Sequence, residues 1–394
     1  MKSLRVTLAL AALGLGACTA VTSVTDSVSD LVAGEQDNSI PPTELIKFEP
    51  TIDVQKIWSG RFGKGVDNLF IQLIPAPYKE AIYTADRDGR MIALSAATGE
   101  ELWTERGKKL RISGGPGAGD GLVFAGTSDA EVVARDAESG EEKWIVQVSS
   151  EVLAPPRAAG GTVVVRTGDG KLFGLDSETG KRKWVYDRTI PVLTLRGTSA
   201  PVIYGGIVIA GFDNGRLVAL DLATGKQEWE TRLAVPTGRS DLERMVDVDA
   251  EPTIADDTAY VASFQANVAA VSIVNGQLEW TRKISSYSNL AVDESRVYVT
   301  DELGNVWALD RDTGTSIWKQ EGLKARRVTG PAVVGDYVVV GDFEGYLHWI
   351  DRETGDFVHR LRLDDERILV PCRRIDDILL AFSSSGVLAA FRPE

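Results

Sequence analysis

The chain has 394 residues, 43% apolar and 25% charged, a globular composition that excludes wholesale disorder. With His348 and His359 as its two histidines, a multi-histidine metal centre cannot be built and a histidine-dependent triad is disfavoured. A formal net charge of -14 argues against a nucleic-acid partner, whose phosphates demand a basic surface.

At the start of the chain, Lys2 and Arg5 precede an apolar stretch from 6 to 15, too short to span a bilayer and laid out as an export signal. It ends in Leu15-Gly16-Ala17-Cys18, which resembles the lipobox of bacterial lipoproteins. That resemblance implies removal of residues 1–17 and lipidation of Cys18. With Thr19 rather than Asp next, it also implies sorting to the outer membrane, lipid-anchored, with the folded part in the periplasm. Residues 18–50 are rich in Ser, Thr, Asp and Val without periodicity, and read as a flexible tether with a reach of roughly 30 Å. If Cys18 carries lipid, Cys372 is the remaining thiol, so packing rather than a disulfide must hold the fold together.

From residue 75 the chain repeats itself. A small residue and a glycine are followed four positions later by an aromatic: Thr98-Gly99 and Trp103, Ser139-Gly140 and Trp144, Thr179-Gly180 and Trp184, Thr224-Gly225 and Trp229. Asn275-Gly276 and Trp280, then Thr313-Gly314 and Trp318, continue the series, and Thr354-Gly355 has His359 in the aromatic slot. The glycine-to-glycine intervals are 41, 40, 45, 51, 38 and 41 residues. A second turn lies ten residues before each glycine, at Gly89, Ala130, Gly170, Gly215, Ala266, Gly304 and Gly345. Between the turns the sequence alternates with the period of a strand, as in 171–176, and another β-rich run lies upstream, as in 162–166. Four strands in a period near 41 form a propeller blade. An eighth unit opens at Pro371-Cys372, but the chain stops at Glu394 before its Trp strand, while Ile57-Trp58-Ser59 is a Trp strand with no blade before it. The expectation is an all-β, eight-bladed β-propeller of four-stranded antiparallel blades within 51–394, closed by an N-terminal strand that completes the C-terminal blade. The repeated Trp is expected to stack between blades with His359 as its packing substitute, and Trp307 and Trp349 to lie in the core.

The pattern Asp-Gly, Leu-Asp, Thr-Gly, Trp resembles the pyrroloquinoline-quinone (PQQ)-like repeat, shared by quinoprotein dehydrogenases and non-enzymatic propellers. Dehydrogenases of that kind generally use a calcium ion beside the quinone, and the larger alcohol-oxidising members carry a vicinal Cys pair. This chain has no Cys-Cys, no Cys-x-x-Cys-His and no long inter-blade loops to roof a cofactor, so neither cofactor nor catalysis is expected. A periplasmic PQQ-dependent dehydrogenase stands as the alternative. Export signal, lipobox, tether and eight repeats, together with Leu193-Thr194-Leu195-Arg196-Gly197 and Arg244-Met245-Val246-Asp247-Val248-Asp249 in the two longest intervals, resemble the BamB (YfgL) family. These are lipoprotein subunits of the outer-membrane β-barrel assembly (BAM) machinery. The resemblance implies a non-enzymatic scaffold that binds the periplasmic domains of BamA and helps deliver unfolded outer-membrane proteins for insertion. It assigns partner binding to Leu193, Leu195, Arg196, Asp247 and Asp249. Alternation over 245–249 predicts Val246 and Val248 pointing inward and both carboxylates outward. A freestanding propeller that captures extended polypeptides by strand addition is a further alternative.

Three weaker signals carry no expected site. The Gly60–Gly65 stretch lacks the spacing of a phosphate loop, and Asp247-x-Asp249 lacks the further ligands of a calcium loop. Arg326-Arg327 and Arg373-Arg374 read as solvated basic pairs.

Overall fold

A computed structural model describes residues 40–66, 71–107, 109–188, 199–235 and 246–394, and places Pro42–Glu394 in one compact unit. Val-rich runs separated by glycine turns form strands, and the strands form eight sheets that follow one another along the chain. Blade 3 shows the plan. Its strands Arg157–Ala159, Thr162–Arg166, Leu172–Asp176 and Arg182–Tyr186 pair antiparallel in that order from the ring axis outward. Blades 1 and 2 occupy Ala76–Arg106 and Ile112–Gln147, and blades 4 to 7 occupy Val202–Arg232, Thr253–Arg282, Ala291–Gln320 and Ala332–Arg362. Blade 2 gains a fifth strand, Gln72–Leu73, parallel to Ile112–Gly119.

The ring closes as the sequence predicts. Blade 8 takes Arg373–Ile375, Ile378–Phe382 and Val387–Pro393 from the C-terminus, and its outer strand is Val54–Arg61, with Trp58 opposite Ala390. The middle strands are buried on both faces and lock adjacent blades together. Ile209 and Leu217 of blade 4, for instance, share a cluster with Val261, Ala269 and Val271 of blade 5.

Each Trp docks on the next blade's glycine. A Cβ on Gly225 would stand 2.5 Å from the Trp184 ring, and the same relation joins Gly99 to Trp58, Gly140 to Trp103 and Gly314 to Trp280. The indole N–H then donates to a carbonyl just ahead of that glycine: Trp184 to Leu222 at 2.9 Å, Trp229 to Ile273 at 2.8 Å and Trp318 to Arg352 at 2.9 Å. The Thr-Gly-x3-Trp repeat is thus a blade-to-blade fastener: the glycine has positive φ and leaves room for an indole, and the indole satisfies its own N–H. His359 fills the same slot at blade 7, with Nδ1 3.2 Å from the Ile52 carbonyl oxygen. Trp349 is fully buried, and Trp307 is half-buried with its N–H on Asp301.

Two expectations need correcting. Residues 42–50, assigned to the tether, lie against blades 6 and 7. The Thr43 N–H donates to the Lys324 carbonyl at 3.0 Å, Leu45 packs against the Val338–Ile350 cluster, Phe48 stacks on Phe357 at 6.0 Å, and the Thr51 N–H donates to the Val358 carbonyl at 2.9 Å. Every partner is some 250 residues or more distant in sequence, which is why no local periodicity announces the contact. The basic pairs are solvated only in part: Arg327 and Arg374 are exposed, but their neighbours are engaged. Arg326 is buried against Asp342 and Glu344, and Arg373 pairs with Glu251, because each meets a carboxylate that only the ring brings near.

Candidate partner surface

The connections from blade 3 to blade 4 and from blade 4 to blade 5 are the long ones, and their described ends meet where Ser199 contacts Ala250. Leu193, Leu195 and Arg196 in the first, with Arg244 and Met245 in the second, lie outside the described residues. The described C-terminal part of the second connection, 246–252, is built into the ring. The Val248 N–H donates to the Phe212 carbonyl at 3.4 Å, the Asp247 carbonyl accepts from the Phe264 N–H at 2.9 Å, and the Ser199 hydroxyl donates to the Ala250 carbonyl at 2.9 Å. Ser199 closes the first connection, so the two are fastened to each other at their base. Val246 and Val248 are 4% and 0% exposed, inward as the alternation predicts, and a Cβ on Gly211 would collide with Val248.

The carboxylates depart from expectation. Asp247 is 1% exposed and Asp249 is half-buried. They do not project into solvent because a buried cation lies beneath them. Arg166, fully buried at the end of a blade 3 strand, donates to the Gly211 carbonyl and to Asp213 (3.1 Å), and its guanidinium lies 4.2 Å from the centre of the Phe212 ring. Asp213, Asp247 and Asp249 all bear electrostatically on this guanidinium. Burial, followed by repulsion from Asp247 and Asp213, pushes the Asp249 carboxyl up to about 8 against the pull of Arg166. The base of the surface is therefore a carboxylate cluster gathered around one buried guanidinium, hydrogen-bonded to it through Asp213, in which Asp249 holds its proton well above the usual carboxylate range.

The segment runs on to the ring axis. Glu251 accepts from Arg157 of blade 3 at 2.5 Å and from Arg373 of blade 8 at 3.0 Å, and Asn289 holds its backbone N–H. Burial would raise this carboxyl, but the two guanidiniums outweigh it and hold it down to about 2. The arrangement is an ion triad across the axis. Beside it a cavity of about 420 Å³ is lined by Pro75, Pro116, Pro155, Pro331 and Pro371 together with Arg157 and Arg373. Among the described residues no group of three or more His, Cys, Asp or Glu is placed to hold a metal ion. Neither Arg166 nor Glu251 was singled out by sequence reasoning. The one available signal for Arg166 was a charged residue ending an otherwise apolar Val163–Val165 run, a position more often occupied by a hydrophobe in a doubly buried strand.

Fold and surface together define a propeller of the PQQ-like repeat class whose departures from the repeat lie in its inter-blade connections. A family model described as outer membrane protein assembly factor BamB matches residues 87–320. The chain is 40% identical over 360 residues to outer membrane protein assembly factor BamB of Xanthomonas campestris pv. campestris, covering 89% of each chain. It is 45% identical over 324 residues to that of Kangiella koreensis, covering 82% of this chain and 83% of the relative. The chain belongs to the BamB family. The crystal structure of BamB from Moraxella catarrhalis superposes with a TM-score of 0.79 at 27% identity, over 86% of this chain and all of that one. Quinohemoprotein alcohol dehydrogenase from Comamonas testosteroni, at TM-score 0.67 and 14% identity over 86% of this chain and 76% of its own, shares the fold.

Proposed function

We propose that this protein is a scaffold in outer-membrane protein assembly, working without catalysis inside a BAM-type complex. The observation that carries the reading is membership of a family named for that role, over most of the chain. Within the complex it binds the periplasmic domains of BamA through the face bearing the two long connections, with Leu193, Leu195 and Arg196 as contacts and Asp247 and Asp249 in supporting roles. Asp247 is buried and Asp249 half-buried beside Arg166, so the two support the connection that a partner meets rather than touching the partner as free charges. Cys18 carries the lipid that holds the propeller to the outer membrane from the periplasmic side. Long connections whose bases are built into a closed ring suit a docking platform, because the ring supplies rigidity and the connections supply specificity.

The test is capture from detergent-solubilised envelope. The wild-type lipoprotein should retain BamA, and Leu193→Ala, Leu195→Ala and Arg196→Ala should each weaken retention at least tenfold with the thermal melt unchanged. Wild-type retention by all three would place the contact elsewhere on the ring. Cys18→Ser should move the protein from the membrane to the soluble fraction.

A further inference from the structure

The segment from Thr43 to Thr51 meets the outer edge of blade 7 at a site assembled for it. Two guanidiniums grip its backbone: Arg326 Nη1 donates to the Thr43 carbonyl at 3.1 Å and Arg360 Nη1 to the Ile46 carbonyl at 2.8 Å. Arg360 also lies 5.0 Å from the centre of the Phe48 ring. Both guanidiniums are aimed by one buried pair. Asp342 Oδ2 accepts from Arg326 Nε at 2.8 Å and stands 3.0 Å from His348 Nε2, while Arg360 Nε donates to His348 Nδ1 at 3.0 Å.

Because a guanidinium can only donate, Nδ1 of His348 must accept, and the ring proton must sit on Nε2 and point to Asp342. The arrangement exists only while the imidazole is neutral. A second proton would set an N–H against the N–H of Arg360 at hydrogen-bond distance and break the contact that orients the clamp. We propose that the outer edge of blade 7 is a releasable binding site for an extended apolar-aromatic segment, occupied in cis by residues 43–51, and that neutral His348 is its gate.

The charged surroundings favour that gate. Asp342 faces the imidazole from the turn before its strand, with Oδ1 engaged by the Glu344 and Tyr346 N–H groups. Arg360 faces it from the neighbouring strand, and Arg326 from the connection that enters blade 7. Glu344 neutralises Arg326, Arg362 lies over the Tyr346 ring, and Glu44, Lys47 and Glu49 of the bound segment are exposed. Burial lowers the His348 pKa below its ordinary value, Asp342 opposes this, and Arg360 and Arg326 add to it. The released state, in which Arg360 swings away, takes the proton more readily. The clamp is therefore complete above the ordinary histidine range and is lost as pH falls through the lower, clamped-state value. Release frees about nine residues, up to roughly 30 Å of extended chain. On the lipid anchor proposed above, this would lengthen the reach between membrane and ring.

Hydrogen exchange on the full-length lipoprotein, corrected for intrinsic rates at each pH, tests the proposal. Protection over 43–51 should fall at least tenfold between pH 7.5 and 4.5, while the blade 7 strand Tyr337–Gly341 keeps its protection. His348→Gln can still accept from Arg360 and donate to Asp342 but does not titrate, so it should hold the segment across the whole range. Arg360→Ala should expose it already at pH 7.5, with no further change on acidification. Retained wild-type protection at pH 4.5, an unaltered acid loss in His348→Gln, or a pH-dependent loss persisting in Arg360→Ala overturns the gate. The last readout serves alone if His348→Gln does not fold. None of these outcomes depends on BamA, so failure here is separable from failure of the partner assignment.

Discussion

Asp249 and Glu251 stand two positions apart and ionise in opposite directions, which shows how far side-chain behaviour is set by long-range neighbours. For Asp249 the folded value, about 8, lies above the value near 3.9 of an unfolded Asp. The native state holds its proton more tightly, so the stability this contributes is complete below about pH 4 and is lost as pH rises through 8. Asp249→Asn, neutral at every pH, should therefore match wild type near pH 4 and melt progressively above it toward pH 8.5. A melting difference that is flat in pH would remove the buried charge from the account. Glu251 carries the reverse case, since it stays ionised between two arginines. Glu251→Ala leaves both guanidiniums facing each other near the axis and should cost roughly 3 kcal/mol, the low end for breaking a buried ion pair, as read by denaturant midpoint. Replacing Arg157, Glu251 and Arg373 together by Met should cost less than the single change, because no uncompensated charge remains. Period-two alternation made Val246 and Val248 legible in the sequence. It could not reveal that the opposite face also meets protein, because the cation responsible, Arg166, belongs to another blade. Glu251 was equally hidden, its partners lying 94 and 122 residues away.

At the scale of the element, the Trp–Gly fastener was the most legible feature, because its two halves recur at fixed spacing and both are required by the same contact. The sequence shows the glycine and the tryptophan of one unit, but the structural pair joins the Trp of one blade to the Gly of the next, an offset that no single repeat displays. Trp184 is buried, and Trp184→Ala should cost about 3–5 kcal/mol. Gly225 has φ near +70° and no space for a methyl group beside the indole, so Gly225→Ala should destabilise on both counts. The two causes separate in a double-mutant cycle. In the Trp184→Ala background the collision disappears and only the backbone strain remains, so the glycine substitution should cost less there by 1 kcal/mol or more. Additive costs would mean that the indole is not what the glycine accommodates.

For the whole molecule, the decisive contact is the one that joins its ends. Without Val54–Arg61, blade 8 has three strands, and Val387–Pro393, covered in the closed ring, presents an unpaired edge. Loss of this strand also removes Trp58, whose ring packs on Gly99 and whose N–H donates to the Ala96 carbonyl at 3.1 Å, so the fastener between blades 8 and 1 goes with it. Residues 42–52 contribute differently: they cover part of blade 7 through Leu45, Phe48 and two gripped carbonyls but complete no sheet. Three chains should therefore rank in order. One beginning at Pro42 should melt like the full-length protein. One beginning at Asp53 should lose a modest increment, on the order of the 1.5–3 kcal/mol that burying a single large apolar side chain provides, and remain monomeric. One beginning at Phe62 should melt far lower and associate through the open edge of blade 8, which size-exclusion chromatography reads directly. A monomer of undiminished melting temperature from that last chain would mean that the remaining blades close without the N-terminal strand, and would overturn the view that a strand drawn from the opposite terminus holds the ring shut.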